Sequence, residues 1–352
     1  MKEVRHRAAA EDGTEDRSAH EVLAWSRSVV EPALREAVDT LPDSMRHIAG
    51  YHFGWWDEHG RPAGADGGKT IRPALALLAA EAAGGVHAPA IPVAAAVELV
   101  HNFSLLHDDV MDGDPTRRRR PTAWSVFGTS AAILVGDALL ALAFDVLAGS
   151  GHPAAQAGTR MLSAAVQALV DGQIADMVFE ERADVGMPEC LAMAERKTGA
   201  LLGCACALGA SFGGGGPGQI KRLRGFGEQL GVAFQFVDDL LGIWGDPAVT
   251  GKPIYSDLHN RKKSLPVVAA LTSGTAAGDE LTGLYHRERP LPDADLVHMA
   301  ELIDLAGGRV WSQAQADLLL AGALHQLCSA GPPARATAEL ESLARLATRR
   351  DR

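Results

Sequence analysis

The stretch VAAAVELVHNFSLLHDDVMD (93–112) decides the fold class. Val93, Val97, Val100 and Leu105 recur at helical spacing, and the apolar face runs straight into Asp108, Asp109 and Asp112. A helix that apolar belongs in a core, yet carboxylates side by side repel each other and resist burial. Similar periodicity predicts helices over 71–83, 122–148, 153–181, 188–211, 217–243, 263–273, 294–305, 308–329 and 333–349, with short Gly and Pro breaks between them. Ser18-x-x-Glu21 ahead of Val22, Trp25 and Val29 has the form of a capping box, so a first helix starts near Ala19 and is kinked or restarted at Pro32. The segment 41–68, with HFGWWDEHG (52–60) at its centre, reads as an irregular connection holding one short helical turn. Alternating strand patterns are nearly absent. The expectation is an all-α bundle of long helices, one domain over 21–350, preceded by a disordered segment over 1–20.

Composition narrows the function classes. Of 352 residues, 47% are hydrophobic and 5% aromatic, a balance that suits packed helices. The formal charge of −11 argues against general affinity for nucleic acid, whose binders carry a net basic surface. The segment 198–217 is rich in Ala, Gly and Cys and reads as a buried helix rather than a membrane span, and the first twenty residues hold no apolar stretch that would form a signal or anchor. Cys190, Cys204, Cys206 and Cys328 lack zinc-ligand spacing and read as reduced packing residues of a cytoplasmic protein.

Asp108 and Asp112 stand at i and i+4, neighbouring points on one helix face where they can chelate cations together. Divalent metal removes the repulsion between them, and hard oxygen ligands beside a phosphate suit magnesium. A lone DDxxD also describes a solvated acidic helix end. Coincidence weakens with the second segment, Asp238-Asp239-Leu-Leu-Gly-Ile-Trp-Gly-Asp246, on another apolar helix just after Gln235. Basic residues complete the pattern: Lys69 and Arg72 near a helix start, Arg117 to Arg120, Lys197, Lys252, Lys262 and Lys263. Acids with dispersed bases describe a diphosphate site, where arginine offers forked hydrogen bonds and lysine a point charge. Standing alone, Arg117 to Arg120 would read equally as an exposed loop, and His101 and His107 as packing histidines.

With these pieces in place the sequence resembles the trans-polyprenyl diphosphate synthase family, which includes farnesyl and geranylgeranyl diphosphate synthases. The matching stretches are GGKTIRP (67–73), ELVHNFSLLHDDVMDGDPTRRRRPT (98–122), GDALL (136–140), KTGALL (197–202) and GVAFQFVDDLLGIWGDPAVTGKPIYSDLHNRKKSLP (231–266). Each is weak alone; their shared order and spacing make the joint match specific. The resemblance implies the isoprenoid synthase fold, long helices around a central cavity, in a homodimer. Asp108, Asp109 and Asp112 would then hold two magnesium ions on an allylic diphosphate, and Asp238 a third. Arg117, Lys197 and Lys252 would contact that diphosphate, while Gly68, Lys69, Arg72, His101 and Arg118 would bind isopentenyl diphosphate. Gln235 and Asp239 would line the site, and Lys262 falls at the family's last conserved lysine position.

Departures from the family pattern are local. Gly242 stands where the second DDxxD has its last Asp, Arg119 where the RRG pattern has Gly, and Trp124 where His is frequent. Phe103, about one turn above the metal site, should floor the elongation cavity, with the small Ser104 beside it. In the family that pattern belongs to short-chain enzymes, and it favours geranylgeranyl over farnesyl product. The rivals are a class I terpene cyclase, which would not need GGKTIRP, and a noncatalytic partner subunit, which would not need an intact first acidic motif.

Overall fold

The computed structural model describes residues 16–64, 70–247, 253–285 and 292–349. Helix α1 (Ala19–Asp39) begins at the capping box read from sequence: Ser18 Oγ accepts from Glu21 N–H, and Glu21 accepts from Ser18 N–H at 2.8 Å. Pro32 lies inside α1 without ending it. Folded structure starts before residue 21, because Arg17 is bound to the buried Glu339 carboxylate at 2.6 Å and stacks over Trp25. Residues 1–15 lie outside the described residues. The expected irregular connection contains a full helix, α2 (Asp43–His52), whose polar and glycine-bearing text DSMRHIAGYH hides a short buried face at Ala49, Gly50 and Tyr51.

Helices α3 (Ile71–Ala82) and α4 (Ile91–Met111) follow, with Pro73 and Pro92 in first turns where proline costs no hydrogen bond. The arginine run forms a hairpin, β1 (Thr116–Arg117) against β2 (Arg120–Pro121), with Arg117 opposite Arg120. Expected 122–148 divides at Gly128, φ 91°, into α5 (Ala123–Phe127) and α6 (Thr129–Ala148). Then come α7 (Ala155–Glu181), α8 (Met187–Ala194) and α9 (Ala200–Phe212), the last two joined by a π-helical turn at Glu195–Gly199. A π turn adds one residue without disturbing apolar text, so the sequence reads as one helix. Helix α10 (Pro217–Trp244) carries the second acidic segment; beyond it lie α11 (Ser256–His259), α12 (Leu265–Leu271), α13 (Ala276–Tyr285), α14 (Asp293–Leu305), α15 (Gly308–Ser329) and α16 (Ala334–Thr348). α11 and α13 have no counterpart in the sequence reading.

The core has two large parts sharing α3 and α9. On one side α4 packs along α6; on the other α10 packs along α15 and α9. The crossing of α10 over the π turn is tight: a Cβ at Gly231 would sit 2.7 Å from Gly199 Cα, so glycine at 231 is what lets these backbones meet. Cys190, Cys204 and Cys206 are buried, and burial pushes the Cys204 thiol up to about 12. Cys328 is exposed, so the packing role expected of all four cysteines holds for the other three. Among the described residues two segments, 88–111 and 129–148, are long and apolar enough to cross a bilayer; the former is mostly buried, whereas α6 exposes Ile133 and Leu134.

Candidate active site

Helix α4 stops at Met111, and Asp112 caps it, its N–H donating to Asp108 O at 2.8 Å. Asp108 and Asp112 thus stay one turn apart on the helix end, as their spacing requires. Desolvation raises the pKa of both, although Asp108 is half-buried and Asp112 is exposed at the helix end; Lys197 opposes the rise at Asp108, and Lys197 and Lys262 oppose it at Asp112. Asp109 separates from this pair. It is buried and accepts from Arg117 Nε at 2.6 Å, anchoring the arginine hairpin to α4. Burial still raises it to about 6, and its Oδ2 has no hydrogen-bond partner.

The hairpin turn holds Arg118 and Arg119 at φ 51° and 62°, a two-residue type I′ geometry in which glycine would be unstrained. The departure at Arg119 therefore falls on a left-handed position. Arg120 points away from the site, donating to Tyr51 O at 3.2 Å and Trp56 O at 3.1 Å and lying over the Tyr51 ring. The HFGWWDEHG segment thus supports the hairpin from behind. Trp124, the other departure, donates from Nε1 to Asp114 O at 2.9 Å, fixing the loop between motif and hairpin.

A second group gathers around His101. Burial, then Arg72, Arg118 and Arg117, push its pKa well below the ordinary value. Burial and the same hairpin arginines bring His52 down to about 3. Arg72, His101 and Arg118 therefore share one electropositive neighbourhood, with Glu98 raised by burial beneath it. Gly68, Lys69 and Lys252 lie outside the described residues.

Lys197, in the π turn, pairs with Asp176 of α7 at 2.5 Å. Burial pushes Asp176 upward, but Lys262 and Lys197 together hold it below the usual carboxylate range. Asp176 escaped the sequence reading because GQIAD (172–176) shows one acid in an ordinary helix face. Lys262 links everything: burial opposes its charge, but Asp176, Asp257, Asp239 and Asp238 raise its pKa well above the ordinary value.

In the second acidic segment the adjacent aspartates diverge. Asp238 is exposed. Asp239 is buried and accepts from Gln235 Nε2 at 2.7 Å and from Leu265 N–H at 2.9 Å; Gln235 Oε1 in turn accepts from Thr198 Oγ1 at 2.6 Å. This relay ties the π turn, α10 and the start of α12 together. Burial raises Asp239 to about 7. Asp246 falls past the end of α10.

Phe103 belongs to the core cluster of α4, α6 and α7, its ring edge-on to His107 at 4.8 Å; Ser104 Oγ donates back to His101 O at 2.9 Å. The His107 ring rests on Gly136, where any Cβ would collide with it, which accounts for the glycine of GDALL.

The donor set suits a hard divalent cation. Asp108, Asp112 and Asp238 offer carboxylate oxygens, and Asp109 keeps an orphaned buried oxygen beside them. Among the described residues no three acid, His or Cys side chains converge on one point. A cation here would take much of its shell from phosphate oxygens and water, as magnesium does.

Comparison with known proteins places these features in context. The family model described as Polyprenyl synthetase matches residues 58–303. A (2E,6E)-farnesyl diphosphate synthase of Mycobacterium tuberculosis is 46% identical over 326 residues, covering 92% of this chain and 91% of that one. A geranylgeranyl diphosphate synthase of the same organism is 44% identical over 331 residues, covering 94% and 93%. The crystal structure of a polyprenyl synthetase from Streptomyces coelicolor A3(2) superposes with a TM-score of 0.89 at 47% identity, covering 93% of this chain and 98% of that one.

The raised carboxylates set a pH dependence for the metal-free protein. Where a folded-state carboxyl pKa exceeds its unfolded value, the folded chain holds the proton longer, so stability falls as pH rises between the two values. For Asp109 at about 6 and Asp239 at about 7, that window opens near 3.8. In chelator, the thermal midpoint should drop from about pH 5 to about pH 7.5, and Asp239→Asn should flatten the drop. An unaltered slope in that variant would remove Asp239 as its source.

Proposed function

The chain belongs to the polyprenyl synthetase family and is a short-chain trans-prenyl diphosphate synthase, and we propose that it joins isopentenyl diphosphate to an allylic diphosphate between its two acidic segments, with magnesium as the ion. The observation that carries this siting is Lys262, whose charge is felt by Asp112 of the first segment and answers Asp238 and Asp239 of the second.

Asp108 and Asp112 would hold metal on the allylic diphosphate and Asp238 a further ion, in a complement of about three that completes its shells from phosphate and water. Bound cations supply Lewis-acid stabilisation of the departing diphosphate. Lys197, Arg117 and, by resemblance, Lys252 donate to the same oxygens, so negative charge that builds as the allylic C–O bond ionises meets donors already in place. Arg72, His101 and Arg118, with Gly68 and Lys69, take the diphosphate of isopentenyl diphosphate; burial first, and then the positive charge of that neighbourhood, depresses His101. The alkene then attacks the allylic cation, and the proton lost passes to the released diphosphate. Asp109, Gln235 and Asp239 act by holding the hairpin, α10 and α12 in register. A cyclase reading would leave the Arg72, His101 and Arg118 group without a ligand.

The product is geranylgeranyl diphosphate. Phe103 is a buried ring on the turn before Asp108, and Ser104 beside it adds little bulk. The protein acts as a homodimer. Helix α7 exposes Val170, Ile174, Met177 and Val178 along one stripe, and α6 exposes Ile133 and Leu134, apolar surface that a second copy would cover.

Purified protein with magnesium, isopentenyl diphosphate and farnesyl diphosphate should yield a C20 diphosphate, read by mass spectrometry after dephosphorylation, and chelator should abolish it. A hydrocarbon or alcohol formed without isopentenyl diphosphate would support a cyclase instead. Phe103→Ala should shift product beyond C20; an unchanged distribution would remove Phe103 as the floor. Light scattering should give a dimer, and Leu134→Asp with Ile174→Asp a monomer. A monomeric wild type, or one that sediments with lipid vesicles, would overturn the dimer.

A further inference from the structure

The second acidic segment lacks its third carboxylate in sequence, yet another carboxylate occupies the space that a side chain at position 242 would need. A Cβ built on Gly242 would lie 2.7 Å from Oδ1 of Asp257 and nearer still to Oδ2 and Cγ. Real side chains do not approach so closely, so glycine is required at 242 while Asp257 stands where it does. Asp257 belongs to α11, and two hydrogen bonds hold that short helix against the last turn of α10: Tyr255 N–H donates to Ile243 O at 3.3 Å and Ser256 Oγ to Gly242 O at 3.3 Å. Lys262 N–H closes the far end of α11 on Asp257 O at 2.9 Å. Tyr255 enters α11 in the left-handed region, φ 62°, a strained conformation for a tyrosine that this seating maintains. Asp257 also shares the charge cluster of the segment, acting on Asp239 and, with Asp238 and Asp239, on Lys262.

We propose that Asp257 is the third carboxylate of the second acidic centre, delivered from α11 rather than from α10, and that Gly242 is the gap that admits it. With Asp238 it helps to hold a divalent cation on diphosphate. The loss of the motif's last Asp is thus a relocation, and the centre is assembled from two chain segments. This inference rests on the reading of the site as one for magnesium and diphosphate.

The test is calorimetric titration of inorganic pyrophosphate into the full-length protein at stepped magnesium concentrations, with thermal melts of each variant. Asp257→Asn, nearly isosteric, should raise the magnesium needed for half-maximal pyrophosphate binding about tenfold, and adding Gly242→Asp to it should bring the value back to within about threefold of wild type. Gly242→Asp alone should lower the melting temperature, because two carboxylates then compete for one place. Unchanged magnesium dependence in Asp257→Asn, or no recovery in the double variant, would overturn the relocation while leaving the proposed site intact. Wild-type protein that binds no pyrophosphate with magnesium would overturn the site reading and this inference with it.

Discussion

A helix as apolar as α4 can end in carboxylates only if other parts of the chain carry their charge. Desolvation raises the buried Asp109, the half-buried Asp108 and even Asp112, exposed at the helix end, and α4 itself carries no lysine or arginine to offset it. The rest of the site follows from that need. Arg117 comes on a hairpin, Lys197 on a π turn and Lys262 from the segment before α12. Each cation must in turn be placed by something rigid. Asp176 pairs with Lys197, and the Thr198, Gln235 and Asp239 relay fixes the same turn against α10. Close backbone contact at Gly199 and Gly231 makes that relay short enough to form.

The arginine hairpin shows how far this support extends. Its inner residue Arg117 binds Asp109, while Arg120 is clamped between the Tyr51 ring and the carbonyls of Tyr51 and Trp56. Trp56 is itself held by donating to His47 O at 2.7 Å. Aromatic residues that carry no chemistry thereby set where charge is presented.

Long periodic helices and the paired acidic segments were legible because both are local patterns: apolar spacing over several turns, and carboxylates too dense to be accidental. α2 was not, since its buried face is brief and its text holds Gly, His and Tyr. Asp176 and Asp257 were not, for a different reason. Each is a single acid in unremarkable surroundings, and its role arises only when α7 or α11 is brought beside Lys197 or Gly242. The division of labour between Asp108 and Asp109 was hidden too, because a DD pair says nothing of which member turns inward. Gly242 looked like a loss for the same reason: the sequence shows the missing side chain but not the carboxylate standing in its space.

The relay through Asp239 has a consequence for how this protein tolerates change. Asp238 and Asp239 are chemically identical neighbours, yet one is exposed and the other spends one oxygen on Gln235 of its own helix, which holds Thr198 of the π turn, and the other on the start of α12. Damage at Asp238 would leave the fold intact and remove a proposed ligand, whereas damage at Asp239 would loosen the π turn and α12 from α10 together. Variation at these adjacent codons would therefore surface as two different defects, one in turnover and one in the amount of folded protein a cell retains.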